Sequence, residues 1–112
     1  MINISKEEAG YVLVEVNLTE ANLSHSERFK TELITLLGEK QRSIWLNMQQ
    51  VTYVDSSFLG ALVAALKYAI SMKRDVVLIN LQKDIDDMLK LIRLDKVFKI
   101  YSTEQEAQQA TV

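Results

Sequence analysis

An acid and two hydroxyls stand together inside the stretch VTYVDSSFLGALVAALKYAI, residues 51–70. Asp55, Ser56 and Ser57 follow a short β-type run and precede a long apolar helical one, so they fall at a strand-to-helix junction. Three chemistries fit that place. Ser56 can cap the helix, its hydroxyl accepting from an orphan amide of the first turn, with Ser57 filling that turn. A serine can be a nucleophile if a base reaches it. A hydroxyl at an exposed loop-to-helix corner is also open to a kinase. A phosphate there adds about −1.5 to −2 charges; the free amides of a helix start would stabilise it, and Asp55 would repel it. Surface charge then changes more than the fold does, which suits a switch read by a partner.

The nucleophile reading needs His25, the one histidine in the chain. It falls in the first turn of an earlier helix, and DSSFLG lacks the glycines of a G-x-S-x-G elbow. A small hydrolase using Ser56 and His25 is expected to fail on distance. Metal chemistry has no support either. Asp84, Asp86 and Asp87 cluster, but a helix spreads them and no calcium-loop pattern surrounds them; they read as the solvated acidic start of a helix. FLGAL carries one glycine and is no phosphate loop. VNLTEAN offers no acidic cluster for a phosphoryl-acceptor aspartate. No catalytic residue, metal or cofactor is expected, and the chain is read as a non-enzyme.

The elements that must position the trio are legible from periodicity. Ile2–Ile4 and Tyr11–Leu18 read as strands joined by a turn at Glu7–Gly10, a hairpin. A helix starts at Ser24, where Ser24 and Glu27 have capping-box spacing. Its stripe is Phe29, Leu33, Ile34 and Leu37, and Gly38 is the expected stop. Ser43–Met48 is the next strand, with Val51–Val54 a candidate extension. The main helix runs from Ser56 or Ser57 to about Lys73. Val76–Asn80 is a buried-type strand, Lys83–Ile92 a helix with Ile85, Met88, Leu89 and Ile92 in phase, Val97–Tyr101 a short strand, and Ser102–Ala110 a terminal helix. Strands alternating with helices make an α/β domain with a mixed, mostly parallel β-sheet packed with helices. Such sheets bind ligands beyond the C-terminal ends of their strands, where Val54-Asp55-Ser56-Ser57 lies.

On a wheel of 3.6 residues per turn, Leu59, Leu62, Val63, Leu66, Ala69 and Ile70 share the expected core face of the main helix. Gly60, Ala64, Lys67, Ser71 and Arg74 make a small or polar face. Phe58, Ala61, Ala65, Tyr68 and Met72 form a third sector. A helix covering one side of a sheet does not need so wide an apolar arc. That sector is either contact with a neighbouring helix or a docking surface with Phe58 and Tyr68 as aromatic anchors.

Composition bounds the rest. The chain has 112 residues, 48% hydrophobic and 25% charged, with a net charge of −2. That predicts one domain over residues 1–112 with a core of its own. The charge argues against a nucleic-acid partner, which calls for a concentrated basic surface. There is no cysteine, so disulfides, thiolate catalysis and cysteine-based zinc sites are excluded, in keeping with a cytoplasmic location. MINISKEEAG has no signal-peptide character. The apolar run near Leu59–Leu66 is too short to span a bilayer, so no membrane insertion is expected.

The residues VTYVDSSFLGALVAALKYA resemble the signature of STAS domains, the sulfate-transporter and anti-sigma-factor-antagonist family: an apolar strand, Asp-Ser-Ser/Thr-Gly-Leu-Gly, then an apolar helix. The downstream VVLINLQKDIDDMLKLIRLDKVFKIYSTEQEAQQA is similar too, and the likeness spans nearly the whole chain, more weakly before Leu36. It implies a small α/β fold and, for stand-alone bacterial members, anti-sigma factor antagonism by partner switching. The implied partners are an anti-sigma factor that is also a serine kinase, and a serine phosphatase. By motif position the phosphorylation site is Ser56, with Ser57 second and Asp55 the acid beside it. Two positions depart from the pattern. Phe58 stands where the family has glycine, expected to alter the contact surface beside the acceptor. Ala21-Asn22-Leu23-Ser24 replaces a Gly-Glu-Leu-Asp start of the first helix, a loop that borders the partner face. Asp55, Ser57, Phe58, Ala61, Ala65, Tyr68, Met72, Asn22 and Ser24 are thus the expected partner-binding residues. The second reading is a constitutive, non-phosphorylated adaptor subunit of a transporter or signalling complex, a reading that Phe58 favours.

Overall fold

Val76–Ile79 is apolar at all its positions and buried at each, which demands cover on both faces of the strand. The computed structural model, which describes residues 1–111, supplies it. Strands β1 (Ile2–Glu7), β2 (Tyr11–Val16), β4 (Ser43–Asn47), β6 (Val76–Ile79) and β7 (Ile100–Tyr101) form one sheet in the order β1-β2-β4-β6-β7. β1 and β2 are the antiparallel hairpin; the other pairings are parallel. Two further strands, β3 (Glu20–Ala21) and β5 (Tyr53–Val54), pair parallel with one another in a separate ladder. The helices are α1 (Leu23–Lys40), α2 (Ser56–Ser71), α3 (Lys83–Leu91) and α4 (Glu104–Ala110), with a 3-10 turn at Leu94–Lys96. The α/β class, the hairpin and the mixed, mostly parallel sheet are as the sequence predicts.

Alternation sorts the strands into two cores. Val12, Val14, Ile44, Leu46, Val76 and Leu78 point to the side carrying α1 and α2, where they join Phe29, Leu33 and Leu37 of α1 and Phe58, Leu62 and Leu66 of α2. Tyr11, Leu13, Trp45, Val77 and Ile79 point the other way and meet Ala107 of α4. On that side the Tyr11 and Trp45 rings stack 3.5 Å apart at 4°. The Tyr11 hydroxyl donates to the Glu104 carboxylate and accepts from Gln108 Nε2 at 2.7 Å, while Lys6 Nζ lies 2.6 Å from Glu104. Burial raises the Glu104 carboxyl, but the bonds from Lys6 and Tyr11 outweigh it and hold the group below its ordinary value. Burial and the bond to Glu104 push the Tyr11 phenol up.

Helices α1 and α2 run parallel. Their first turns meet at Asp55, and past their ends Arg74 Nε donates to Gln41 O at 2.6 Å. This arrangement corrects the wheel. The buried side of α2 is Phe58, Ala61, Leu62, Ala65, Leu66 and Ala69, while Ile70, expected in the core, is 59% exposed. The helix packs on the sheet and on α1 at once, so its buried arc is rotated toward α1. The third sector is mainly a helix–helix contact.

Several boundaries also differ from the sequence reading. Gly38 does not end α1. The helix continues to Lys40 and closes at Gln41, which takes the left-handed conformation (φ 51°) and donates its N–H to Leu37 O. Ser24 is not the cap; Asn22 is, because the β3 ladder holds the chain extended up to it. Val51–Val54 does not extend β4 but turns away to make β5. The strand expected over Val97–Tyr101 is paired only at Ile100–Tyr101.

Candidate functional site

Two short strands set the site. In the β3–β5 ladder Ala21 lies opposite Val54, and each strand leads through one capping residue into a helix. Asn22 caps α1 and Asp55 caps α2. The parallel register therefore brings the two caps and both helix N-termini side by side. Asp55 N–H donates to Ala21 O at 3.1 Å and Thr52 N–H to Thr19 O at 2.8 Å, closing the ladder on both sides.

Asp55 serves both helices. Its Oδ1 accepts from Phe58 N–H at 2.9 Å, in the first turn of α2, and its Oδ2 accepts from Leu23 N–H at 2.8 Å, the first residue of α1. Asn22 Oδ1 accepts from Ser24 N–H at 3.0 Å and from the Ser24 hydroxyl at 2.6 Å. A carboxylate at the joined positive ends of two helix dipoles is well placed electrostatically. The expectation that Ser56 caps α2 is thereby corrected. Asp is as good a cap as Ser, and Asp55 sits one residue earlier, where the backbone is still extended (φ −109°, ψ 177°).

Ser56 is left at the first position of α2, exposed, and its hydroxyl makes no hydrogen bond among the described residues. Ser57 is half-buried and lines a groove of about 320 Å³ between α1 and α2, with Leu23, Glu27 and Lys30 on one wall and Gly60 and Ala64 on the other.

Phe58 is not at the surface. It is fully buried, its ring 4.4 Å from that of Phe29 at 39°. Ala61 and Ala65, at 6% and 0% exposure, are buried with it. Phe58 and Ala65 have no surface to offer a partner, which corrects their assignment as contact residues, whereas Ala61 still lines the floor of the Ser57 groove. The physical reason is the second helix: α1 lies against this side of α2, and the Phe58 ring packs on Phe29 between them. Tyr68 (38% exposed) and half-buried Met72 lie at the far end of α2. Tyr68 is about 18 Å from Ser56 along the axis at 1.5 Å per residue. The fold thus gathers Asn22, Ser24, Asp55, Ser56 and Ser57, and leaves Tyr68 and Met72 outside the cluster.

The sequence reading placed Leu23 in the loop before the first helix but did not single it out, and did not single out Tyr53; Leu23 is 70% exposed with its amide held by Asp55, and Tyr53 is 52% exposed two residues before Asp55. A large apolar residue just after a capping Asn was the available signal for Leu23. Among the described residues no hydrogen-bonded Ser-His-Asp arrangement is assembled. His25 Nδ1 is buried without a hydrogen-bond partner, and both oxygens of Asp55 are occupied by backbone amides.

Comparison with known proteins adds an independent finding. A model of the STAS domain matches residues 12–107. A Thermotoga maritima protein provisionally named an anti-sigma factor antagonist is 30% identical over 91 residues, 80% of each chain. Among solved structures, a STAS domain protein from Planctomyces limnophilus aligns with a TM-score of 0.83 at 21% identity, covering 97% of this chain and 96% of that one. The Bacillus cell fate determinant SpoIIAA in its phosphorylated form aligns with a TM-score of 0.69 at 16% identity over 100% of both chains.

Proposed function

This chain belongs to the STAS domain family, and from that premise we propose that it is an anti-sigma factor antagonist working by partner switching, with Ser56 as its phosphorylation site. The whole chain, residues 1–112, acts as one STAS unit in the cytoplasm. It is a binding protein, not an enzyme. Its partners are an anti-sigma factor with serine kinase activity and a serine phosphatase.

The observation that carries the reading is the division of labour between Asp55 and Ser56. Asp55 does the capping, so the Ser56 hydroxyl is free and exposed. Modifying it breaks no hydrogen bond of the fold. Ser57 is less open and stands second. A phosphate on Ser56 adds charge beside the Asp55 carboxylate, at a corner whose amides from Leu23, Ser24 and Phe58 already have acceptors. The added charge faces outward, where desolvating it against a partner is costly. Loss of the partner complex on phosphorylation follows from that cost.

The adaptor reading drew on Phe58 as a surface feature. With Phe58 in the core, that support is gone. The experiment is partner binding by three forms of the protein. Ser56→Ala should bind the anti-sigma factor as the unmodified chain does, and Ser56→Asp should bind it at least tenfold more weakly. Equal affinity of all three forms would remove the switch and favour the adaptor.

A further inference from the structure

Among the described residues, the second core has one helix as cover. The side chains of the first core come from the strands, the loops, α1, α2 and α3, and none comes from α4. On the opposite face, Tyr11, Leu13, Trp45, Val77 and Ile79 belong to strands, and among the described residues the one buried side chain that packs on them from outside the sheet is that of Ala107. α4 reads EQEAQQA, with Ala107 its sole buried side chain. A seven-residue helix has no stability of its own in water. What fastens it beyond Ala107 is polar: Tyr11 to Glu104, Gln108 to Tyr11, and Lys6 to Glu104.

We propose that α4 is a detachable strap, latched by Glu104 across Tyr11 and Lys6, that opens from the sheet as a separate unit while the first core stays closed. Because the two cores share no α4 residue, lifting α4 removes no contact from Phe29, Phe58 or Leu62. The Tyr11 and Trp45 rings stay stacked on one another when α4 lifts. Regions with few buried apolar contacts and polar fastenings exchange with solvent at the low end of the stability range. Glu104 is the lever. Its charge is the acceptor for the phenol and the partner of the ammonium, so neutralising it weakens two of the three fastenings. The charged and titratable groups facing it are Lys6 and, 3.8 Å beyond Lys6, Glu8 from the β1 side, and Tyr11 from β2; within α4, Glu106 is turned to Ser102 N–H.

The test uses the full chain at neutral pH, as wild type and as Glu104→Gln. Two readouts are followed: amide hydrogen exchange of residues 104–110 against residues 62–69 of α2, and acrylamide quenching of Trp45, the one tryptophan. In the wild type the α4 amides should exchange on the order of 100-fold faster than those of α2. Glu104→Gln should speed α4 exchange about tenfold and increase Trp45 quenching, with α2 exchange unchanged, as expected for losing a charge-assisted bond. The proposal is overturned if wild-type α4 and α2 exchange at the same rate. It is also overturned if both accelerate together in the variant, or if neither α4 exchange nor Trp45 quenching responds.

Discussion

Asp55 Oδ2 accepts the amide of Leu23 at 2.8 Å across 32 positions of sequence, while its Oδ1 closes the first turn of its own helix. One carboxylate therefore caps two parallel helices at once. Removing a cap costs about 0.5–2 kcal/mol, and this one holds two. Asp55→Ala should destabilise the fold by about 2–3 kcal/mol in urea denaturation. Asp55→Asn keeps one acceptor oxygen and should lose about half as much. A loss under about 0.5 kcal/mol for Asp55→Ala would show that the Leu23 contact is not formed in solution.

Phe58 is a core residue at a position where the family pattern has glycine. Phe58→Ala should cost about 3–5 kcal/mol through the cavity left against Phe29. Phe58→Gly should cost roughly 1 kcal/mol more for glycine inside a helix. Chemical denaturation measures both. A Phe58→Ala variant of wild-type stability would mean that the ring is not packed as described.

The contrast between Phe58 and Asp55 says what was readable in the sequence and what was not. Strand alternation, helix periodicity and the hairpin are local properties, and the order of elements follows from them. The depth of a side chain on α2 is not local. It depends on α1 lying parallel beside α2, which is fixed by the β3–β5 ladder, two residues long in each strand and without a periodic signature. The same ladder decides that Asn22 and Asp55, rather than Ser24 and Ser56, are the caps, because its pairing ends at Ala21 and Val54 and the next residue of each strand is the last with extended backbone. Ser56 was identifiable as an exposed hydroxyl. That its hydroxyl would be free of capping duty was not, since Ser and Asp are equally good caps.

Gly38 offers a test of the same point. It reads as a helix stop but lies inside α1. A Cβ there would meet only the Tyr68 hydroxyl, at an ordinary 3.7 Å. Gly38→Ala should therefore stabilise the protein by about 0.5–1 kcal/mol. A drop in melting temperature would contradict the helical assignment at Gly38.

Glu104 is held below its ordinary value by Lys6 and Tyr11 against the opposing effect of burial. A group with a depressed folded-state value adds stability above its unfolded value and loses it as pH falls through the folded one. The strap's contribution should thus be complete near neutrality and vanish in acid, below the ordinary carboxylate range. Glu104→Gln should flatten that part of the stability–pH curve. Parallel acid limbs for the two proteins would contradict the latch.

Ser56 is where the functional account stands or falls. The direct measurement is a phosphopeptide map of the protein incubated with its cognate anti-sigma kinase and ATP. The account predicts one phosphoryl group, on Ser56, absent from Ser56→Ala and removed by the cognate serine phosphatase. A phosphate on Ser57 or elsewhere, or none with a kinase that binds the protein, would contradict it.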